Sequence, residues 1–307
     1  MANSGQYYMN GETLLKASSI FLDEELTIIA PNGYYSDGAW VRLQLDGILY
    51  PPTPCPSCLP ECGSTIAANG NQGEYVINMN VGGTDLDTGA ILIYFDPINI
   101  PDGILALFNG VYYNSISSET YGFLGGDLPY MPTFIGDDSY NCNLEGGYFT
   151  LNIYEYQNGS FVYTGNNETI YIPAGQVKLT AQRPNRCLMV IPKPNATPNT
   201  LNIKFYGPCS GTAFNLDIQC PTKLTAFSGS IKATSQATAC TYPMGQTYYN
   251  APVNGTAGVV GMYDFVFADK FGQTKLAAGW YKFSGNPSYN VMQVDANGVV
   301  VTLALCT

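Results

Sequence analysis

Apolar and polar residues alternate in short stretches along most of the chain, and turn-forming residues separate those stretches. Ile20, Leu22, Leu26 and Ile28, then Val41, Leu43 and Leu45, alternate with polar partners across Pro-Asn-Gly and Asp-Gly turns. A period of two gives each strand one apolar face, so the pattern predicts short antiparallel strands. Tyr75, Ile77, Met79 and Val81 repeat it, as do Ile203 and Phe205, and then Phe214, Leu216 and Ile218 beyond Gly-Pro-Cys-Ser-Gly. Ala90 to Phe95 is a dense apolar run of strand length. No segment holds a period of 3.6 over three turns, so the chain reads as all-β.

The strand signals group into parts. Residues 1–54 form an N-terminal β module, and residues 55–72, proline-led and then small and polar, read as a linker. Residues 73–221 carry turns at the spacing of a β-sandwich, jelly-roll-like, and residues 222–307 form a C-terminal module that opens with a small-residue strand region, Leu224 to Ala239. The two modules are copies of one unit. Phe21/Phe267, Asp23/Asp269, Gly33/Gly279, Tyr34/Trp280 and Tyr35/Tyr281 match without a gap. Upstream, Gly5-Gln6-Tyr7-Tyr8 echoes Gly245-Gln246-Thr247-Tyr248-Tyr249; downstream, Asp46-Gly47 precedes Cys55 as Asn297-Gly298 precedes Cys306. A duplication that flanks a long middle marks a modular chain.

Composition narrows the function. Only 11% of residues are charged, the net charge is −11, and the 12 basic residues are scattered, so the chain offers no track for a nucleic-acid backbone. Histidine is absent, which removes imidazole-based nucleophile activation, HExxH zinc chemistry and histidine proton shuttling. Carboxylates are what remains for catalysis. Neither a basic-then-apolar leader nor a spanning apolar run is visible, so the expectation is assembly in a cytoplasm, without membrane insertion and with reduced cysteines.

The candidate chemistry is sparse. Cys55, Cys58 and Cys62 have partial zinc-ligand spacing without a fourth nearby ligand, and free or packed thiols are the preferred reading. Cys209 and Cys220 could face one another across the last hairpin of the sandwich, but a buried thiol is again preferred. Trp40, Tyr34, Tyr35, Trp280 and Tyr281 could stack on sugars, although their recurrence at matched positions favours packing. Asp85/Asp87, Asp137/Asp138 and Glu24/Glu25 are the near-adjacent carboxylates that a glycan-cleaving enzyme or a calcium ion could use, and solvated turns are the simpler reading. No catalytic, cofactor or metal residue is assigned and no cofactor is expected.

The paired F-x-D-x9-G-[YW]-Y modules, joined to a sandwich carrying the Pro-Asp-Gly and Gly-Pro-Cys phrases, resemble virion proteins of tailed bacteriophages, in particular crAss-like phages of Bacteroidota. The resemblance implies a non-enzymatic component of a tail, collar or fibre, located in the virion after assembly in the host cytoplasm. Its expected partners are copies of itself and other virion proteins, with a host surface glycan as a further ligand. A carbohydrate-binding or host-attachment module is the alternative.

Overall fold

The computed structural model describes residues 6–37, 40–54, 59–63, 65–69, 71–98, 100–117, 131–135, 146–157, 159–172, 187–253 and 256–306. The chain is almost entirely β and forms two compact units, Met1–Pro60 with Tyr156–Ser160, and Glu61–Glu155 with Phe161–Thr307.

The first unit holds the N-terminal module. β1 (Tyr8–Met9) pairs with β2 (Ile20–Phe21), and β3 (Gly33–Ser36), β4 (Trp40–Leu45), β5 (Ile48–Leu49) and β6 (Thr53–Pro54) form a second antiparallel sheet. Its small core is Leu14, Ala17, Ile20, Ala30 and Leu49, with Tyr35 and Trp40 packed alongside. The alternation of β4 is inverted relative to the sequence expectation. Arg42 and Gln44 point inward and are buried, while Leu45 is exposed. Arg42 donates to the carbonyls of Leu14, Leu15, Ala17, Leu49 and Tyr50, and Gln44 bridges the backbone of Ile20 and Ala30. These side chains face inward because the surrounding loops turn carbonyls toward the core, and a buried carbonyl without a donor is costly. Leu22, Leu26 and Ile28, expected to face the core, are exposed as well.

The second unit contains the expected sandwich. One sheet runs β11 (Val111–Tyr113), β10 (Asp102–Phe108), β16 (Thr200–Gly207), β8 (Gly73–Asn80), β13 (Gly147–Gln157) and β14 (Ser160–Ile172), with β12 (Thr133–Ile135) also on β10. The other runs β15 (Cys187–Lys193), β9 (Gly89–Asp96), β17 (Ala213–Thr222) and β7 (Thr65–Asn69). Aromatic rings of facing sheets meet in the middle: Phe205 of β16 stacks on Phe214 of β17 at 4.6 Å, and Phe95 of β9 lies 5.2 Å from Phe205. β7 lies within residues 55–72, so this stretch is not a linker throughout. It contributes a paired strand to the sandwich.

The C-terminal module follows. β18 (Thr225–Gly229), β19 (Gln246–Ala251) and β20 (Phe265–Phe267) form one sheet, and β21 (Gly279–Lys282), β22 (Val291–Val294) and β23 (Val300–Ala304) another. The small-residue region expected as strand ends in a helix, α1 (Gln236–Thr241), whose first turn is capped by the Ser235 hydroxyl. Six residues are too few for a helical period to show in sequence.

The cysteines depart from the reduced state expected of them. Thr65 of β7 pairs with Asp217 of β17, and three residues farther along the same register Cys62 meets Cys220 in a disulfide. Cys240, in α1, is bonded to Cys306, beyond β23. Cys209 is also disulfide-bonded, so the Cys209–Cys220 pairing does not occur, and Cys187 is a buried thiol. Cys55 and Cys58 lie outside the described residues, and Cys62 is no thiolate ligand.

Candidate interaction surface

The two modules share a backbone as well as a sequence phrase. Asp23 accepts hydrogen bonds from the amides of Thr27 and Ile28; Asp269 accepts them from Gln273 and Thr274 at the same offsets. Phe21 pairs with Ile29 as Phe267 pairs with Lys275. The Tyr35 hydroxyl donates to the Pro31 carbonyl at 2.6 Å, and the Tyr281 hydroxyl to Ala277 at 2.7 Å. Tyr7 meets the Tyr35 ring edge-on at 5.2 Å, as Tyr248 meets Tyr281 at 5.7 Å. Gly47 and Gly298 both sit in the left-handed region, with φ of 79° and 78°. Each residue type that recurs in both copies therefore has its own use in the backbone. The Asp caps a turn, the Gly takes a left-handed position, and the Tyr ties a strand to the preceding loop.

What covers the two copies differs. In the C-terminal copy, Phe265, Phe267, Val299, Ala251 and Tyr249 pack on the outer face of β9 and β15, against Ala90, Leu92, Tyr94 and Leu188. This second layer explains the unbroken apolar run of β9, which is buried on both faces. On another side, Trp280 and Val291 pack under α1 with Ala233, Ala239 and the Cys240–Cys306 bridge. In the N-terminal copy two of the matched residues stand open. Tyr34, at the Trp280 position, is 76% exposed, and Ile48, at the Val299 position, is 65% exposed. Leu26 and Ile29 are exposed too.

The other predicted site residues do not converge. Tyr35 and Trp40 pack on the N-terminal core, Tyr281 is buried in the C-terminal core, and Trp280 is half-buried, which leaves Tyr34 as the one open ring among the five stacking candidates. Asp87 accepts from the amide and hydroxyl of Thr84, which hold its carboxyl below the usual range, and Asp85 sits exposed in the same turn. Glu24 and Glu25 are exposed at the tip of the turn that Asp23 caps. Asp137 and Asp138 lie outside the described residues. Among the described residues, no three Cys, Asp or Glu side chains are grouped to hold a metal ion.

Sequence reasoning missed several buried charged groups. Lys204 of β16 lies 2.7 Å from Glu74 of β8 and 3.5 Å from Glu168 of β14. Burial, and after it the neighbouring Glu168, raises Glu74 to about 7, while Glu168 is held low. Asp102, fully buried in β10, has no hydrogen-bond partner for its carboxyl among the described residues; the nearby Thr212 hydroxyl donates to the Cys209 carbonyl instead. Burial holds Asp102 well above the carboxylate range. Lys193 is buried and donates to the carbonyls of Asp87, Asn195 and Ala196. It lines a cavity of about 120 Å³ with Phe108, Tyr113 and Pro198. These groups tie strands and loops together and form no constellation of nucleophile, acid and base. The feature that stands out is the apolar face of the N-terminal module. No family model, curated protein or solved structure matches the chain.

Proposed function

We propose that the chain is a non-enzymatic structural protein of a tailed-phage virion, a tail, collar or fibre component that assembles with copies of itself and with neighbouring virion proteins. The observation that carries this reading is the duplicated module, kept in backbone geometry and left uncovered in one copy. An exposed apolar face suits a chain that completes its packing in an assembly. The disulfides fit the same setting, because virion surfaces meet oxidising conditions once they leave the cell.

The test is the native mass of the purified chain, with a search for the chain in particles. A closed homo-oligomer, or a fixed stoichiometry in virions, is the expected outcome; a stable monomer absent from particles overturns it. Glycan attachment is the second reading, favoured by Tyr148 and Tyr171, two exposed rings 5.0 Å apart on β13 and β14. A glycan that stacks there raises the melting temperature of the chain, and Tyr148→Ala removes that gain.

A further inference from the structure

At two positions the N-terminal copy exposes an apolar side chain where the C-terminal copy carries a lysine or a glycine. Lys275, whose ammonium reaches over the Phe265 ring, is replaced by Ile29, 52% exposed. Gly272, with φ +75°, is replaced by Leu26, which holds φ +56° and is 37% exposed. A leucine in the left-handed region is disfavoured relative to glycine, and an isoleucine in place of a lysine gives water more apolar surface. Neither replacement helps an isolated module, and both add contact area to a face that meets another protein.

The twin shows what this face seats on. In the C-terminal copy the matched residues lie against a β-sheet of small and aliphatic side chains, Ala90, Leu92, Leu188 and Val190. That seat does not suit the N-terminal copy. A Cβ on Gly272 would already stand 3.2 Å from Val190 and 3.5 Å from Ala90, so a leucine there has no space. A second copy of the same face is disfavoured by charge: Glu24 and Glu25 replace Lys270 and Phe271 at the turn tip, and a two-fold contact brings two acidic tips toward one another. The acidic tip beside an aliphatic centre selects a partner with basic side chains at the matching edge.

From this we infer that Leu26, Ile29 and Ile48 dock on a β-sheet face of a different protein, one with an aliphatic centre, a hollow for a leucine and Lys or Arg at its rim. The inference deepens the assembly reading and rests on it for the setting, while its test separates the two.

The full chain is made in its own producing cells with photoreactive benzoylphenylalanine in place of Ile48, irradiated, and the cross-linked peptide is sequenced by mass spectrometry. The expected product joins residue 48 to a strand of another protein in which aliphatic residues alternate with polar ones and a Lys or Arg stands alongside. Ile29→Glu, at an exposed position that leaves the module folded, lowers the yield about tenfold, as loss of a central anchor does. Glu24→Lys with Glu25→Lys lowers it too, and more at low salt than at high salt. A product joining two copies, a product within one chain, or no product overturns the inference. If the captured protein is not a particle component, the docking face stands and the virion reading fails. If the chain is in particles yet residue 48 links only to its own chain, the reverse holds.

Discussion

In the N-terminal copy, the residues that pair with Tyr35 and Gly33 from the neighbouring strand are Arg42 and Gln44; in the C-terminal copy, those that pair with Tyr281 and Gly279 are Met292 and Val294. One backbone thus carries two kinds of interior. The first copy has a core of five small or aliphatic residues, so hydrogen bonds from inside to loop carbonyls hold it together. The second has the sandwich on one side and α1 on another, so it fills the same space with Phe227, Phe283, Met292 and Val300 and closes it with a disulfide. The comparison teaches that the repeated Asp, Gly and Tyr specify the turn geometry, while the interior follows from how much surface a neighbour covers.

Breaking the Cys240–Cys306 bridge has the largest expected effect. With both cysteines changed to serine, the C-terminal module loses about 4 kcal/mol on the loop-entropy argument for a closure of 66 residues, and denaturant unfolding measures the loss. Arg42→Met makes the first copy imitate the second. It leaves five carbonyls without their donor and costs about 3 kcal/mol, seen as lost amide-exchange protection over residues 8–54 with residues 225–304 unchanged. Equal protection in the variant removes the claim that hydrogen bonds hold this core.

Acidity separates the copies next. Asp264, buried and hydrogen-bonded to Asn250 and the amides of Val253 and Gly261, is raised to about 6, first by burial; its matched residue is the uncharged Ser18. The folded module keeps a proton that the unfolded chain has already released. Its stability therefore falls as the pH rises from about 4 through 6, by on the order of 2–3 kcal/mol, and is level above that. Asp264→Asn removes the slope, and the N-terminal copy shows none from this position. The smallest effect contrasts the matched aromatics: Trp280→Ala costs about 2 kcal/mol under α1, whereas Tyr34→Ala changes stability by less than about 0.5 kcal/mol. A comparable loss at both positions means that something covers Tyr34 in solution.

The duplication and the sandwich were legible in sequence for a physical reason. Asp23, Gly47 and Tyr35 are required by their own local backbone, so they recur wherever that backbone recurs. The alternation through Tyr75 to Val81 and Phe214 to Ile218 reflects one face against a facing sheet. Arg42 and Gln44 were illegible because a polar residue that faces inward breaks the rule by which an inward face is recognised. The disulfides were hidden as well: the register of β7 on β17 brings together residues 158 positions apart, and spacing along the chain carries no trace of it. The exposed Leu22, Leu26 and Ile28 were present in the sequence, but the same letters spell a core strand when no neighbour is known.

The Cys62–Cys220 and Cys240–Cys306 bridges also decide how the chain bears tension. A pull on its ends travels along the covalent path, which crosses from Cys62 to Cys220 and again from Cys240 to Cys306. The 158 positions spanned by the first bridge would add roughly 500 Å of contour if released, at about 3.4 Å per residue, and the bridge keeps that length in reserve. Beyond Cys62, the part that can be drawn straight under load before a sulfur bond breaks is the short run from Cys220 to Cys240. The strand pairs inside both loops are shielded from the pull, and the N-terminal module is the element that yields first and absorbs the extension.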